Sequence, residues 1–368
     1  VAALSGYRIC VYAIAKDEEK YVDRWMDSMG EADLVLVLDT GSTDRTVERL
    51  RARGAVVHEQ RIVPWRFDVA RNRALDLVPE DIDICASIDL DEVLEPGWRK
   101  KLEDAWQPEY TRARYVYVWR HRADGSPERQ FETDKIHRRK GYRWVHPVHE
   151  VLEYAGEGGE KTVTVGDMVL HHYPDPAKSR GQYLPLLELS AAENPGDAQA
   201  AFWLGREYSF YGMHETCIAA LQRYLTLPSA RWDEERSAAM RLIGESCQEL
   251  GRMEEAMSWL FRAVAECQGV REPYLALVKF AYGERNWPLV YAMVHKALSI
   301  PRSSGSYLAD PECWSTALYD YGAVAAYELG LYAKAYALAL EACAREPGDE
   351  RLRENLRFIA ERIKGSGA

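Results

Sequence analysis

The sequence predicts two parts: an α/β, Rossmann-like domain with a mostly parallel sheet over residues 1–178, and an all-α helical repeat domain over residues 179–368. Three observations predict this. Up to about Tyr173, short apolar runs alternate with helically spaced segments, as βαβ units do. Beyond Lys178 the strand patterns stop and helix pairs recur around glycine-centred turns. The chain, at 368 residues, also exceeds one ordinary hydrophobic core.

Taken in order, Arg8 to Ile14 reads as a strand and Glu18 to Met29 as an amphipathic helix. Leu34 to Leu38 is apolar without interruption, which marks a strand buried on both faces. Asp44 to Arg53 reads as a helix, Ala55 to His58 as a strand and Asp68 to Leu77 as a helix. Ile82 to Ile88 is then a fourth strand, which delivers Asp89-Leu90-Asp91-Glu92. Ligands of such sheets collect at the carboxyl ends of the strands. Alternation along a strand would send Asp89 and Asp91 to one face, where two hard oxygen donors suit Mg²⁺ or Mn²⁺ and a diphosphate. Asp39, also at a strand end, can accept hydrogen bonds from a base or ribose, whereas Ser42-Thr43-Asp44 reads equally well as helix capping.

In the second part, Ala201 to Pro228, Ala239 to Ala263 and Tyr319 to Pro347 share one plan of helix, Gly-centred turn and Ala-containing helix. The turns lie at Gly212, Gly251 and Gly330. This is the unit of tetratricopeptide-like repeats. A further pair between Pro273 and Leu298 lacks the turn glycine.

Composition narrows the function classes. Hydrophobic residues at 47% and charged residues at 29% describe a globular chain, and the net charge of −11 speaks against general nucleic-acid binding. From Arg112 to Arg143, however, ten Lys or Arg face four Asp or Glu, a basic segment able to attract a phosphate-bearing ligand or simply to face solvent. Seven scattered cysteines without a Cys-x-x-Cys pair read as buried small residues in a reducing compartment. No apolar run is long enough for a membrane span, so the expected location is the cytoplasm.

Ile14-Ala15-Lys16-Asp17-Glu18, Asp39-Thr40-Gly41-Ser42-Thr43-Asp44-Arg45-Thr46, Ala70-Arg71-Asn72 and Asp89-Leu90-Asp91-Glu92 stand in the order of the motifs of family 2 glycosyltransferases with a GT-A fold, which the N-terminal part resembles. Asp17 departs from that pattern, where Asn is common. With its helical repeats the chain is similar to the subset that includes the S-glycosyltransferases of bacteriocin peptides. The resemblance implies a metal-dependent transferase that takes a sugar from a UDP-sugar donor, UDP-glucose or UDP-N-acetylglucosamine, with inversion. Asp39 would hold the base, the backbone of Ala13 and Ala15 would line its slot, Asp89 would face ribose and metal, and Asp91 would ligate Mn²⁺ or Mg²⁺. Arg71 would clamp the diphosphate or form a helix-face salt bridge.

Trp144 offers an apolar wall to a sugar ring, and His149-Glu150 resembles the His-Glu pair of related transferases, with Glu150 the first candidate base and His149 the second. Enzymes of this fold also recruit a late histidine to the metal. Alternation lets only one of His171 and His172 face the ion; His171 is preferred, with a linker histidine as its other reading. The acceptor is expected to be a peptide side chain held by the repeats, which could also join two chains into a dimer. The alternatives are a phosphate-bearing acceptor, a lipid diphosphate or a modified nucleic-acid base, or a noncatalytic repeat scaffold.

Overall fold

A computed structural model of the chain describes residues 6–175, 181 and 183–365. They divide into two compact units, Val1–Ser190 and Ala191–Ala368. The boundary expected between residues 178 and 179 lies outside the described residues. Among the described residues no helix is long and apolar enough to cross a membrane. The cysteines are free thiols, all buried except the half-buried Cys343.

The first unit opens β1 (Ile9–Ala15), α1 (Val22–Met29), β2 (Leu34–Asp39), α2 (Thr46–Ala52), β3 (Val56–Glu59), α3 (Phe67–Asp76) and β4 (Ile84–Ser87). These strands pair in parallel in the order β3-β2-β1-β4. Because β1 and, up to Leu38, β2 are apolar, both faces are buried: Val11, Ala13 and Ala15 face α1 and α2, while Cys10, Tyr12 and Leu38 face α3.

The parallel pattern does not continue. After β5 (Glu92–Leu94) and α4 (Trp98–Ala105), the basic segment becomes the hairpin of β6 (Arg112–His121) and β7 (Pro127–Arg138). Asp124 and Gly125, with φ +83°, close its turn. β7 pairs antiparallel with β4. A two-stranded ribbon, β8 (Tyr142–Val145) with β9 (Val151–Tyr154), covers the α3 face, and β10 (Thr162–His172) returns between β6 and β5. The eight-stranded sheet is therefore parallel in the half legible from the sequence and mixed in the other.

The division between units falls within α5 (Tyr183–Glu193). The second unit is all helical: α6 (Ala198–Phe210) and α7 (His214–Thr226), α8 (Asp233–Glu249) and α9 (Met253–Glu266), α10 (Glu272–Gly283) and α11 (Trp287–Leu298), α12 (Ala317–Glu328) and α13 (Tyr332–Arg345), then α14 (Glu350–Gly365). Three pairs meet glycine against leucine: Gly205 on Leu221, Gly244 on Leu260 and Gly322 on Leu338. A Cβ on Gly244 would lie 2.9 Å from Leu260 Cγ, so only glycine permits that helix spacing.

The pair without a turn glycine folds the same way. Arg285 takes φ +53° where Gly212, Gly251 and Gly330 take φ +67°, +74° and +73°. Its amide bonds Tyr282 O at 3.0 Å and the next amide bonds Ala281 O at 2.8 Å, repeating the double bond of the glycine turns. An L-residue in this region pays a steric cost that glycine does not. Arg285→Gly should therefore stabilise the helical unit by about 0.5–1 kcal/mol, after the extra chain entropy of glycine is counted. Urea midpoints of the two chains check this; an unchanged or lowered midpoint contradicts it.

Candidate functional site

Two loops at the carboxyl ends of β1 and β2 are laced by side chains that accept backbone amides. Asp39 Oδ1 accepts from the amides of Gly41 at 2.9 Å and Ser42 at 3.0 Å, and its other oxygen takes the Ser42 hydroxyl. The amide of Asp17, at φ +54°, donates to Ser42 Oγ at 2.9 Å, while Asp17 Oδ1 accepts from Thr43 N at 2.7 Å. Asp44 accepts from Thr46 N and Glu19 N, as a helix cap would. Asp39, expected to hold a base, is thus buried and organises its own turn. Ala13 and Ala15 lie buried on β1 in register with Val37 and Asp39, and Ala15 O is taken by Thr40 N at 2.9 Å.

Beyond β4 the chain turns instead of staying extended. Glu92 N donates to Asp89 O at 2.9 Å, so Asp89 to Glu92 form a tight turn and the two aspartates part company. Asp89 receives Arg71 through both terminal nitrogens, at 2.8 and 3.0 Å, and Lys135 Nζ at 3.4 Å. The remaining Nε of Arg71 binds Glu150 Oε1, and its Nη1 also reaches Ser87 Oγ at 3.2 Å. Arg71 is consequently a buried bridge between two carboxylates, not a clamp open to a diphosphate. Burial alone would raise the Asp89 carboxyl, but Arg71 and Lys135 outweigh it and hold it below the ordinary range.

Glu92 shares this network. It is fully buried, accepts Tyr117 OH at 2.7 Å and lies 3.4 Å from Lys135, and burial raises its carboxyl despite Lys135. Lys135, whose ammonium burial would disfavour, is held charged by Glu92 and Asp89. The sequence places Glu92 in the acidic motif without a role of its own and does not single out Lys135. On β7 the alternation of Lys135 with the buried His137 was the available signal, obscured by the surrounding basic run.

Asp91 faces the other way, toward His172: its Oδ2 is 3.5 Å from His172 Nε2. The neighbouring His171 points elsewhere, with Nε2 3.0 Å from Glu95 and Nδ1 2.9 Å from His121. The histidine beside the acidic turn is therefore His172, not the preferred His171. A register shift between Val165 and Val169 on β10 resets the parity from which the choice had to be counted.

Residues able to hold a divalent ion must fit by donor chemistry. Asp89 does not, because both of its oxygens are engaged by cations. Asp91 and His172 do. His172 Nδ1 lies 3.3 Å from the carbonyl of Trp119, whose indole stacks on the imidazole at 4.4 Å, and this outer contact directs Nε2 at Asp91. Two donors on one ion at roughly 2.1 Å bond length lie about 3 Å apart, close to the spacing seen. Among the described residues no group of three His, Cys, Asp or Glu converges as a metal cage. Any ion here would need solvent or phosphate oxygens to complete its shell.

Trp144 is no wall for a sugar. It is buried in the α3-side core, donates Nε1 to Tyr12 OH at 2.9 Å and carries the Arg71 guanidinium over its ring at 5.0 Å. Tyr12 in turn meets His137 Nε2 at 2.9 Å, and His137 donates Nδ1–H to Arg138 O. Glu150 sits on Arg71, and His149, at φ +51°, packs its ring against Tyr183 at 5.7 Å. The structure thus brings Asp89, Arg71, Glu150 and Trp144 into one cluster and holds Asp39 apart in its own loop.

No protein-family description matches the chain, and no curated protein does. Among solved structures it is similar to the Cut9–Hcn1 hetero-tetramer of the APC/C, at 14% identity and TM-score 0.38, over 50% of this chain and 33% of that one. It is also similar to YrrB, described as a TPR protein with an unusual peptide-binding site, at 13% identity and TM-score 0.39, over 48% of this chain and 84% of that one. A third is pilF of Pseudomonas aeruginosa, at 14% identity and TM-score 0.38, over 48% and 72%. The chain spans about a third of the Cut9–Hcn1 chain it matches.

One pH dependence follows from His137. Burial lowers its imidazole from 6.5 to about 3. The folded state keeps it neutral while the unfolded chain takes up a proton below 6.5, so its contribution is complete above that pH and is lost as pH falls toward 3. The loss approaches about 1.4 kcal/mol per pH unit across that window. Urea unfolding between pH 6.5 and 4.5, followed by NMR of the sheet amides, should show a shallower decline in His137→Gln than in the parent. Equal slopes would remove His137 from the account.

Proposed function

We propose that the N-terminal unit is a metal-dependent glycosyltransferase of the GT-A type that takes a hexose from a UDP-sugar. The observation that carries this reading is the Asp91–His172 pair, oriented by the Trp119 carbonyl beside the carboxyl ends of parallel strands. The strand order β3-β2-β1-β4 supports it, because its carboxyl-end crevice is where nucleotide ligands of such sheets bind. The order of the four sequence motifs supports it as well.

In this proposal Asp91 and His172 hold Mn²⁺ or Mg²⁺, which when bound neutralises charge on the departing diphosphate. The loops after β1 and β2 seat the nucleoside through backbone groups fixed by Asp39 and Asp17. Arg71 is a positioning residue that fixes Asp89 and Glu150. Glu150 is the base that takes the acceptor proton on the face opposite the leaving group, and a peptide side chain is the acceptor.

One observation favours a noncatalytic scaffold: Arg71 captures both Asp89 and Glu150 within the protein. The two readings part on a direct assay. Incubated with a panel of UDP-sugars and Mn²⁺, the chain should release UDP from at least one, and Asp91→Asn should lower that release by about a hundredfold. Calorimetry should show Mn²⁺ uptake, in the presence of UDP, that Asp91→Asn abolishes. No release with any donor, together with no Mn²⁺–UDP binding, would favour the scaffold.

A further inference from the structure

The connection between α11 and α12, residues 299–316, is much longer than the other links between helix pairs, and it does not run directly to the next helix. It returns across the first helices of three pairs. Asp310 N donates to Glu272 on α10 at 2.9 Å; Ser304 Oγ and Ser306 Oγ donate to Glu234 on α8; and Tyr307 OH donates to Glu235 at 2.7 Å. The Tyr307 ring stacks on Trp203 of α6 at 5.3 Å, with the rings 15° from parallel, and meets the edge of Trp232 at 5.5 Å.

The contacts are those of an extended polar segment laid on the first helices of three pairs. The segment Arg302 to Asp310 is mostly Ser, Gly and other small or polar residues, with Tyr307 and Leu308 as its large apolar side chains. Its backbone and hydroxyl groups are read by carboxylates of the helices, and one aromatic side chain is read by shape and by its hydroxyl. Glu235 accepts a second phenol, Tyr224 OH, at 2.9 Å, so that carboxylate is built to receive phenol hydroxyls. Trp203 is itself backed by Arg206, whose guanidinium lies 3.7 Å from the ring centre, which stiffens the platform. A phosphate on the tyrosine would meet the Glu235 carboxylate and be repelled.

We infer that the face made by α6, α8 and α10 is a binding site for an extended peptide bearing an unmodified tyrosine, and that residues 303–310 fill it in cis. The site stands whether or not the N-terminal unit transfers sugar. A tethered segment competes at an effective concentration on the order of millimolar, so a free peptide at micromolar concentration is shut out of the intact chain. A partner peptide gains the site when the connection is displaced.

The test uses the full chain and a labelled peptide with the sequence of Arg302 to Pro311. Binding by fluorescence anisotropy should be about tenfold or more tighter to Tyr307→Ala, and to a chain whose residues 303–309 are replaced by a glycine-serine stretch of equal length, than to the intact chain. A peptide carrying phenylalanine for the tyrosine should bind about tenfold more weakly, and the phosphotyrosine peptide should not bind. Equal affinity for intact and altered chains would overturn the inference. So would no binding to Tyr307→Ala when its helix content and unfolding midpoint match those of the parent. Should the replaced chain fail to fold, Tyr307→Ala alone decides.

Discussion

The first unit depends on one buried cation. Arg71 projects from α3 beneath the carboxyl end of β4, joining the turn after that strand to Glu150 beyond β8. Burying a guanidinium costs several kcal/mol unless its donors are satisfied, and here its three nitrogens are paired, Nη1 and Nη2 with both oxygens of Asp89 and Nε with Glu150. Lys135 and Glu92 extend the network, so the acidic turn is held by opposite charges on two sides. With Asp89 turned inward, Asp91 is left to face His172. The candidate metal pair is therefore a consequence of the Arg71 bridge.

How much of this was legible depended on whether local pattern decided the geometry. Strands β1 and β2 could be read because their long apolar runs leave a double-sided burial as the simplest solution. The inward turn of Asp89 could not, since period-two alternation holds only while the chain stays extended, and one backbone bond from Glu92 N to Asp89 O ends that. Local pattern could not choose between His171 and His172 for a related reason, as the irregularity in β10 shifts which residues share a face. Trp144 shows the other limit: an aromatic next to a loop reads as a ligand wall, but whether it is covered depends on α3 and the β8–β9 ribbon. Lys135 was hidden because a half-buried lysine paired with carboxylates and a solvated one look alike in a basic run.

The helical unit follows a simpler code. Glycine on the first helix sets a close approach to a leucine on the second, and a left-handed residue closes the turn. That geometry is strong enough to impose φ +53° on Arg285, which is why the pair that lacks the turn glycine folds like its neighbours. The departure that carries information is the long connection before α12, whose polar sequence gives no hint that Tyr307 is inserted between Trp203 and Glu235.

The central claim, that a divalent ion is held by Asp91 and His172, is open to a spectroscopic test that does not rely on turnover. Pulsed EPR of Mn²⁺ bound to the chain with UDP should show a nitrogen coupling from one imidazole, lost in His172→Ala and kept in His171→Ala. A coupling that follows His171, or Mn²⁺ bound with no nitrogen coupling at all, would contradict the account.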